Sequence, residues 1–146
     1  MTHRLPTLAA TEAFAARIAA VARPGDAILL SGPLGAGKSA FARAFLRAAS
    51  GDPALEVPSP SFTLVQSYDT RLGPVHHFDL WRLDGPGALT ELAWDDALQD
   101  IVLVEWPERL GPLTPPGALR LAFDWADTDE ARVVRVDGWS DRLVQP

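Results

Sequence analysis

The sequence predicts an α/β fold of three layers, in which a mixed sheet has parallel core strands and antiparallel hairpins. The first observation is a short aliphatic run at 27–30 that leads through a glycine-rich turn into a helical segment. The second is another aliphatic run at 101–104, whose four consecutive apolar residues favour a strand buried on both faces. The third is the alternation of apolar residues over 119–125, followed by a turn and a second strand, which predicts a terminal antiparallel hairpin.

The turn at 32–39 reads Gly-Pro-Leu-Gly-Ala-Gly-Lys-Ser and fits G-x-x-x-x-G-K-S/T, the phosphate-binding P-loop. Glycine at 32 and 37 lets the backbone point successive N–H groups at an anion, and the following helix adds its positive end. Lys38 is predicted to neutralise phosphate oxygens, and the Ser39 hydroxyl to hold Mg²⁺. The predicted nucleotide site comprises Gly32, Pro33, Leu34, Gly35, Ala36, Gly37, Lys38, Ser39 and Ala40.

The basic residues support this interpretation. Among 13 lysines and arginines, Lys38 is the only lysine. A compact ammonium can act as a point charge between phosphates, whereas the planar guanidinium fork of arginine cannot take its place. The chain therefore has a lysine at the one position where the motif requires it.

Composition limits the other classes of function. With 146 residues, 47% of them hydrophobic, the chain is predicted to form one domain over 1–146. A net charge of −6 argues against a broad nucleic-acid surface, and the absence of cysteine excludes thiolate metal sites and cysteine nucleophiles. No signal peptide or long apolar run is visible, so we expect a cytoplasmic protein without membrane contact.

The segments that flank the P-loop unit have two different patterns. Thr11 is predicted to cap a first helix that presents Phe14, Ile18 and Val21 on one face and ends before residue 24. After the P-loop helix, two prolines keep 57–63 extended. This segment is either an ordinary strand entrance or a switch that senses the γ-phosphate, and its hydroxyls are those of Ser59, Ser61 and Thr63.

Residues 62–68 and 75–80 are predicted to form a pair of strands joined by a turn ending in Gly-Pro. Alternation along the second strand puts His77 and Asp79 on one face and His76 on the other, so the two histidines are predicted to be one packed and one exposed residue. A carboxylate within this apolar run needs a partner. Asp79 is therefore either a metal ligand or the salt-bridge partner of Arg82.

The region 88–99 is predicted to be a helix with an exposed acidic face at Asp95 and Asp96, and 111–117 a proline-rich loop. Between them, Glu105 ends the apolar strand 101–104 at the edge where open α/β sheets bind ligands. An acidic residue at this position is either the Walker B arrangement, which binds Mg²⁺ or orients water, or an ordinary surface glutamate at a strand end. Trp106 is predicted to be a rim or core residue that can also contact a partner.

Four segments together resemble the TsaE (YjeE) family in order and spacing. They are the P-loop, Ser-Pro-Ser-Phe-Thr at 59–63, His-Phe-Asp-Leu-Trp-Arg-Leu at 77–83, and Val-Glu-Trp-Pro-Glu-Arg at 104–109. That family consists of small bacterial ATPases of tRNA threonylcarbamoyladenosine biosynthesis. The resemblance implies the P-loop NTPase fold, ATP and Mg²⁺ as ligands, and partner subunits TsaD and TsaB, so that tRNA is involved only indirectly.

The resemblance also assigns roles to residues. It implies that Lys38, Asp79 and Glu105 are catalytic, and that Ser39, Asp79 and Glu105 surround the metal. The segment with Ser59, Ser61 and Thr63 would be switch-like, and Trp106 would lie at the rim towards the nucleotide or a partner. The implied activity is ATP hydrolysis that drives cycles of the TsaD–TsaB transferase.

Two other functions fit the P-loop. A small-molecule kinase needs an acceptor pocket and a lid with arginines, for which Arg82 and Arg109 are available, although no arginine-rich lid insertion is visible. A docking module would bind nucleotide and change a partner without significant turnover. Phosphate transfer to a metabolite would identify the first, and binding without phosphate release the second.

Overall fold

The structure is a computed structural model that describes residues 1–60, 63–84 and 86–143. The strands are β1 (Thr2–Leu5), β2 (Ala27–Ser31), β3 (Val65–Thr70), β4 (Gly73–Asp79), β5 (Ile101–Glu105), β6 (Leu119–Trp125) and β7 (Arg132–Asp137). The helices are α1 (Leu8–Val21), α2 (Lys38–Ser50) and α3 (Trp94–Ala97), and two 3₁₀ segments span Pro86–Leu92 and Pro107–Leu113. Among the described residues, no helix is both long and apolar enough to cross a bilayer.

The seven strands form one mixed sheet in the order β1-β7-β6-β2-β5-β4-β3. The four central strands are parallel, because β2 pairs in parallel with both β5 and β6, and β4 pairs in parallel with β5. The outer pairs are antiparallel: β3 with β4, β6 with β7, and β1 with β7. The predicted mixed sheet with parallel core strands and antiparallel hairpins is therefore confirmed.

The two faces of the sheet are covered differently. Helices α1 and α2 pack side by side on one face, where Phe41 of α2 lies 5.8 Å from Phe14 of α1 and 5.7 Å from Phe123 of β6, measured between ring centroids. The 3₁₀ segments and α3 cover the β4 and β5 side of the other face, where Trp94 packs edge-on against Phe78 at 5.0 Å. Alternation along the central strands supplies both hydrophobic cores.

The P-loop unit has the predicted form. Strand β2 is fully buried at 27–30, as a strand between two parallel neighbours must be, and α2 begins at Lys38 directly after the glycine-rich turn. Helix α2 ends at Gly51, whose left-handed backbone (φ 71°) lets its N–H donate to Arg47 O and Ala48 O. This end lies within Ser-Gly-Asp-Pro at 50–53, a sequence typical of helix termination.

Helix α1 begins earlier than the sequence indicates. Its N-cap is Thr7, whose side-chain oxygen accepts the Ala10 N–H at 3.2 Å, so the prediction of Thr11 as the cap is wrong. Thr11 is buried inside the helix beside the core. Phe14 and Ile18 face the core as predicted, whereas Val21 is only partly buried. Two threonines four residues apart offer equivalent capping signals, and packing of the first turn decides between them.

Other boundaries also differ. Strand β3 runs over Val65–Thr70 and β4 over Gly73–Asp79, so the connection is only Arg71 and Leu72, and the predicted six-residue turn is wrong. The hydroxyl of Thr70 stabilises this tight turn by donating to Gly73 O at 2.7 Å and accepting from Leu72 N at 3.0 Å. Strand β1 has no counterpart in the prediction. It is a four-residue edge strand held by its pairing with β7.

The predicted helix over 88–99 is confirmed only in part, because the region is helical but not continuous. A 3₁₀ segment and α3 meet at Ala93, which takes a left-handed conformation with φ 56°. In one continuous helix, Leu89 and Trp94 would point about 140° apart, whereas the break lets both be buried in the same core. Asp95 and Asp96 are exposed as predicted. Similarly, part of the predicted loop 111–117 belongs to the 3₁₀ segment Pro107–Leu113.

We predict that Gly32→Ala destabilises the fold far more than Gly25→Ala. Both glycines have a positive φ, which costs an alanine about 1–2 kcal/mol. A Cβ on Gly25 meets nothing within 4 Å, whereas a Cβ on Gly32 would overlap the backbone carbonyl of Phe123 in β6. Urea unfolding should show a loss of about 1 kcal/mol for Gly25→Ala and about 3 kcal/mol or more for Gly32→Ala. Equal losses would contradict the close approach.

The position of the α1 cap gives a second prediction. Thr7→Ala removes the side-chain acceptor of the Ala10 N–H and should lower the free energy of unfolding by about 1 kcal/mol. Thr7→Ser keeps the hydroxyl and should remain within about 0.5 kcal/mol of the wild type. A cap at Thr11 would instead leave Thr7→Ala without effect in the same urea titration.

Candidate nucleotide site

The site lies where three parallel strands end together. The register pairs Leu30 of β2 with Glu105 of β5, and Glu105 in turn with Asp79 of β4. The P-loop leaves β2 immediately after Ser31, at this same edge. Two carboxylates that are 26 residues apart in sequence are therefore neighbours beside the glycine-rich turn, at the edge where parallel α/β sheets bind ligands.

The glycine-rich turn is shaped by positive backbone angles. Gly32, Gly35 and Gly37 have φ values of 131°, 80° and 113°, and Gly37 precedes the first residue of α2. The first of these glycines lies against the Phe123 carbonyl, and a Cβ on Gly35 would come within 3.0 Å of the Trp125 ring. The turn thus needs glycine both for its own conformation and for its contact with β6.

Lys38 is almost fully buried, with 4% of its surface exposed. Its Nζ donates to Gly32 O at 2.7 Å and lies 3.5 Å from the centroid of the Trp106 ring. Burial lowers the pKa of Lys38, while the negative charges of Glu105, Glu108 and Asp79 act in the opposite direction. The ammonium is therefore held inside the turn by a carbonyl and an aromatic face.

Glu105 is a buried carboxylate, 3% exposed, whose two oxygens have separate partners. Ser39 Oγ donates to Oε1 at 3.2 Å, and His77 Nε2 lies 2.7 Å from Oε2. Burial of a carboxylate is costly unless it is hydrogen-bonded, and both contacts meet that need. Glu105 is thus not a surface residue that happens to end a strand.

Asp79 is buried next to Glu105, and its Oδ1 accepts the Trp81 N–H at 3.1 Å. Of the two histidines before it, His77 is 2% exposed and faces the site, whereas His76 lies on the opposite face with Nε2 2.9 Å from Asp100. The alternation predicted for this strand is confirmed, but the prediction that His76 is exposed is wrong, since its side chain is partly buried between Ser67 and Asp100. The contact between His77 and Glu105 was not predicted, because the sequence around a packed histidine does not indicate which carboxylate it meets.

These side chains surround a cavity of about 310 Å³. Its lining includes residues of the P-loop, the ends of β4 and β5, and two tryptophans: Leu34, Gly35, Gly37, Lys38, Ser39, Ala40, Ser59, Asp79, Trp81, Glu105 and Trp106. Ser59 is the member of the predicted switch that reaches it. Thr63 is exposed and accepts from Gln66 Nε2 at 3.2 Å, and Ser61 lies outside the described residues.

The donor set suits Mg²⁺ bound together with phosphate. Within the described part of the chain, no three or more His, Asp or Glu side chains form a group that could hold a metal ion by themselves. Mg²⁺ usually takes one or two protein ligands, waters and substrate phosphates. The Ser39 hydroxyl beside the Glu105 carboxylate provides that kind of partial shell, with Asp79 next to it.

Three neighbours of the site were not anticipated: Trp81, Trp125 and Arg132. The Trp81 ring packs at a tilt of 45° against Trp106, with ring centroids 4.5 Å apart, so both indoles form one rim of the cavity. Trp125 and Arg132, from the terminal hairpin, lie against Gly35 and Gly37. The sequence predicts this hairpin, but alternation does not reveal which strand end will adjoin the P-loop. Arg109, which was available for a kinase lid, donates to the backbone oxygen of Leu83 at 3.1 Å.

Comparison with known proteins gives consistent results. The family described as "Threonylcarbamoyl adenosine biosynthesis protein TsaE" matches residues 5–134. The tRNA threonylcarbamoyladenosine biosynthesis protein TsaE of Rickettsia felis is 33% identical over 82% of this chain and 70% of its own length. The Bacillus subtilis protein of the same name is 33% identical over 84% of this chain and 77% of its own.

A solved structure shows the same fold. The crystal structure of YdiB from Bacillus subtilis superimposes with a TM-score of 0.76 and 29% sequence identity, covering 97% of this chain and 87% of that one. The P-loop fold implies nucleotide binding, and the family is named for threonylcarbamoyladenosine biosynthesis on tRNA. From the match over residues 5–134 and these relatives, we conclude that the chain belongs to the TsaE family.

Proposed function

We propose that this protein binds ATP–Mg²⁺ at the P-loop and hydrolyses it to ADP and phosphate in support of tRNA threonylcarbamoyladenosine biosynthesis. The observation that carries the proposal is the meeting of Lys38, Ser39 and Glu105 in one pocket at the end of the parallel strands. A cation, a hydroxyl and a carboxylate there are the groups that phosphoryl transfer to water uses.

Phosphate binding begins with the glycine-rich turn. The N–H groups of a P-loop and the N-terminus of α2 provide partial positive charge, and Lys38 adds a full one. Lys38 now donates to Gly32 O, so a phosphate oxygen would replace a neutral acceptor with a charged one. Charge-assisted hydrogen bonds are about twice as strong as neutral ones, which favours this exchange.

Hydrolysis needs a positioned water and neutralised charge. Mg²⁺, when bound, would neutralise charge that develops on the phosphate oxygens. Ser39 and Glu105, with Asp79 beside them, are the residues proposed to hold it. Glu105 is also the residue proposed to orient the attacking water, because its carboxylate is buried, ionisable and at the pocket. Ser59 is the hydroxyl proposed to respond to the γ-phosphate.

The rim of the pocket supports a role for partners. Leu34 and Trp81 line this pocket and are 80% and 51% exposed, so both apolar side chains are accessible to another protein. A subunit that covers them would bury this surface and shield the nucleotide from bulk water. We propose the TsaD–TsaB pair for this place, with tRNA bound by those subunits, since the chain itself carries a net charge of −6.

Lys38→Ala should abolish hydrolysis without unfolding the protein. The substitution removes the full positive charge from the pocket, so we expect phosphate release from ATP–Mg²⁺ to fall at least about 100-fold. The assay should be run on the protein alone and with TsaD, TsaB and tRNA. Arg43→Ala, which removes a cation from the same helix outside the pocket, should retain activity. Wild-type turnover in Lys38→Ala would refute the site.

Assays with the proposed partners distinguish the ATPase from its alternatives. Stimulation of phosphate release by TsaD, TsaB and tRNA, lost in Lys38→Ala, would support a partner-activated ATPase. Tight nucleotide binding and complex assembly without phosphate release would support a docking module. Phosphate transferred to a metabolite would support a kinase.

Glu105→Gln tests the role of the Glu105 charge, because glutamine has nearly the same size and shape as glutamate. It removes the negative charge proposed for the metal and the water, so turnover with Mg²⁺ should fall at least about 100-fold. Nucleotide affinity in EDTA should change less than about threefold, because the P-loop contacts remain. Glu108→Gln is the matched control: this exposed glutamate is also close enough to Lys38 to affect its pKa. Equal losses in both variants would indicate a general charge effect instead.

A further inference from the structure

His77 is a buried titratable side chain that the proposed reaction has not yet used. It is 2% exposed, and its Nε2 lies 2.7 Å from Glu105 Oε2. Its Nδ1 has no hydrogen-bond partner among the described residues. Among the described residues, the imidazole therefore has one hydrogen-bond partner, Glu105 Oε2.

The proton between His77 and Glu105 can be placed from these contacts. A carboxylate accepts hydrogen bonds and cannot donate, so the hydrogen belongs to Nε2 of the imidazole. A hydrogen on the partnerless Nδ1 would leave an N–H buried and unpaired in the protein, which is rare. The contacts thus favour a hydrogen on Nε2.

This hydrogen bond constrains the rotation of the carboxylate. With Oε2 held by His77, the other oxygen of Glu105 remains 3.2 Å from Ser39 Oγ. The torsion of a glutamate carboxylate is otherwise soft. The link joins β4 to β5 through side chains, so rigid strands hold both partners.

We propose that His77 is a positioning residue, which holds Oε2 of Glu105 so that Oε1 stays turned towards Ser39 and the Mg²⁺ side of the pocket. The inference rests on the proposed ATP–Mg²⁺ hydrolysis. Groups that orient a metal-binding carboxylate in this way typically contribute 10- to 100-fold to metal affinity or activity. His77 touches neither nucleotide nor water in this role and acts through Glu105.

The first test uses the protein without nucleotide. Two-bond ¹H–¹⁵N NMR correlations of the imidazole should show His77 with hydrogen on Nε2, and Glu105→Gln should shift its Nε2 signal. A hydrogen found on Nδ1 alone would overturn the proposal, because Nε2 could not then donate to Glu105. This readout does not depend on hydrolysis.

The second test compares two substitutions of His77. His77→Leu removes the donor, and we expect a 10- to 100-fold rise in the Mg²⁺ concentration for half-maximal activity or an equal fall in kcat. ATP affinity in EDTA, measured by calorimetry, should stay within about threefold of the wild type. His77→Gln can place an amide N–H near the position of Nε2. It should therefore improve the Mg²⁺ dependence or kcat at least about tenfold over His77→Leu.

His76→Gln is the matched control. His76 precedes His77 on β4 but faces the other way, with Nε2 2.9 Å from an oxygen of Asp100 and Nδ1 2.7 Å from Ser67 Oγ. Loss of this histidine–carboxylate pair should leave the Mg²⁺ dependence unchanged. Thermal unfolding of every variant then separates a general loss of stability from a specific loss of metal response.

The outcomes distinguish the two proposals. If wild type and Lys38→Ala both fail to hydrolyse ATP, the proposed function fails, and the NMR test still decides the His77–Glu105 bond. If the wild type is active and His77→Leu keeps its kcat and Mg²⁺ dependence, the positioning role is overturned. The same conclusion follows if His77→Gln loses as much as His77→Leu, or if ATP affinity in EDTA falls in parallel with activity.

Discussion

The parallel pairing of β5 between β2 and β4 is the constraint on which the site depends. This register places Glu105 beside Leu30 and Asp79, so the end of the P-loop strand and both carboxylates share one edge. A shift by one residue would turn Glu105 to the opposite face of the sheet and move it away from Ser39. The apolar residues of β5, buried on both faces, resist such a shift because it would exchange the side chains between the two cores.

Burial of Glu105 creates a requirement that its neighbours meet. An ionised carboxylate inside the protein needs hydrogen-bond donors, and Ser39 and His77 provide one for each oxygen. The same arrangement that satisfies the carboxylate also fixes its direction. Stability and the proposed chemistry therefore depend on the same pair of contacts, which explains how a strand otherwise made of aliphatic residues can end in an acid without losing its packing.

The P-loop is supported from two sides. On one side, Lys38 is held by Gly32 O and the Trp106 ring, and Trp106 packs against the exposed Trp81. On the other side, the end of β6 comes so close that a side chain on Gly32 would overlap the Phe123 carbonyl, and one on Gly35 would crowd the Trp125 ring. Glycine here thus serves the contact with β6 as well as the conformation of the turn, and the terminal hairpin becomes part of the surroundings of the site.

The local sequence predicts the elements that depend on patterns of adjacent residues. The glycine pattern, the aliphatic runs of β2 and β5, and the alternation of β6 and β7 each depend on adjacent residues, and they predicted the P-loop unit, the parallel core and the hairpin. The family resemblance could also be stated from four motifs, and it agrees with the match over residues 5–134.

The tertiary structure decided what depends on contacts between distant residues. Thr7 and Thr11 offer the same capping chemistry, the break at Ala93 follows from burying Leu89 and Trp94 together, and the edge strand β1 forms only because β7 pairs with it. The partner of His77 lies 28 residues away in sequence. Local patterns reveal which residues can be buried and which can bind, but the register of the sheet determines which of them meet.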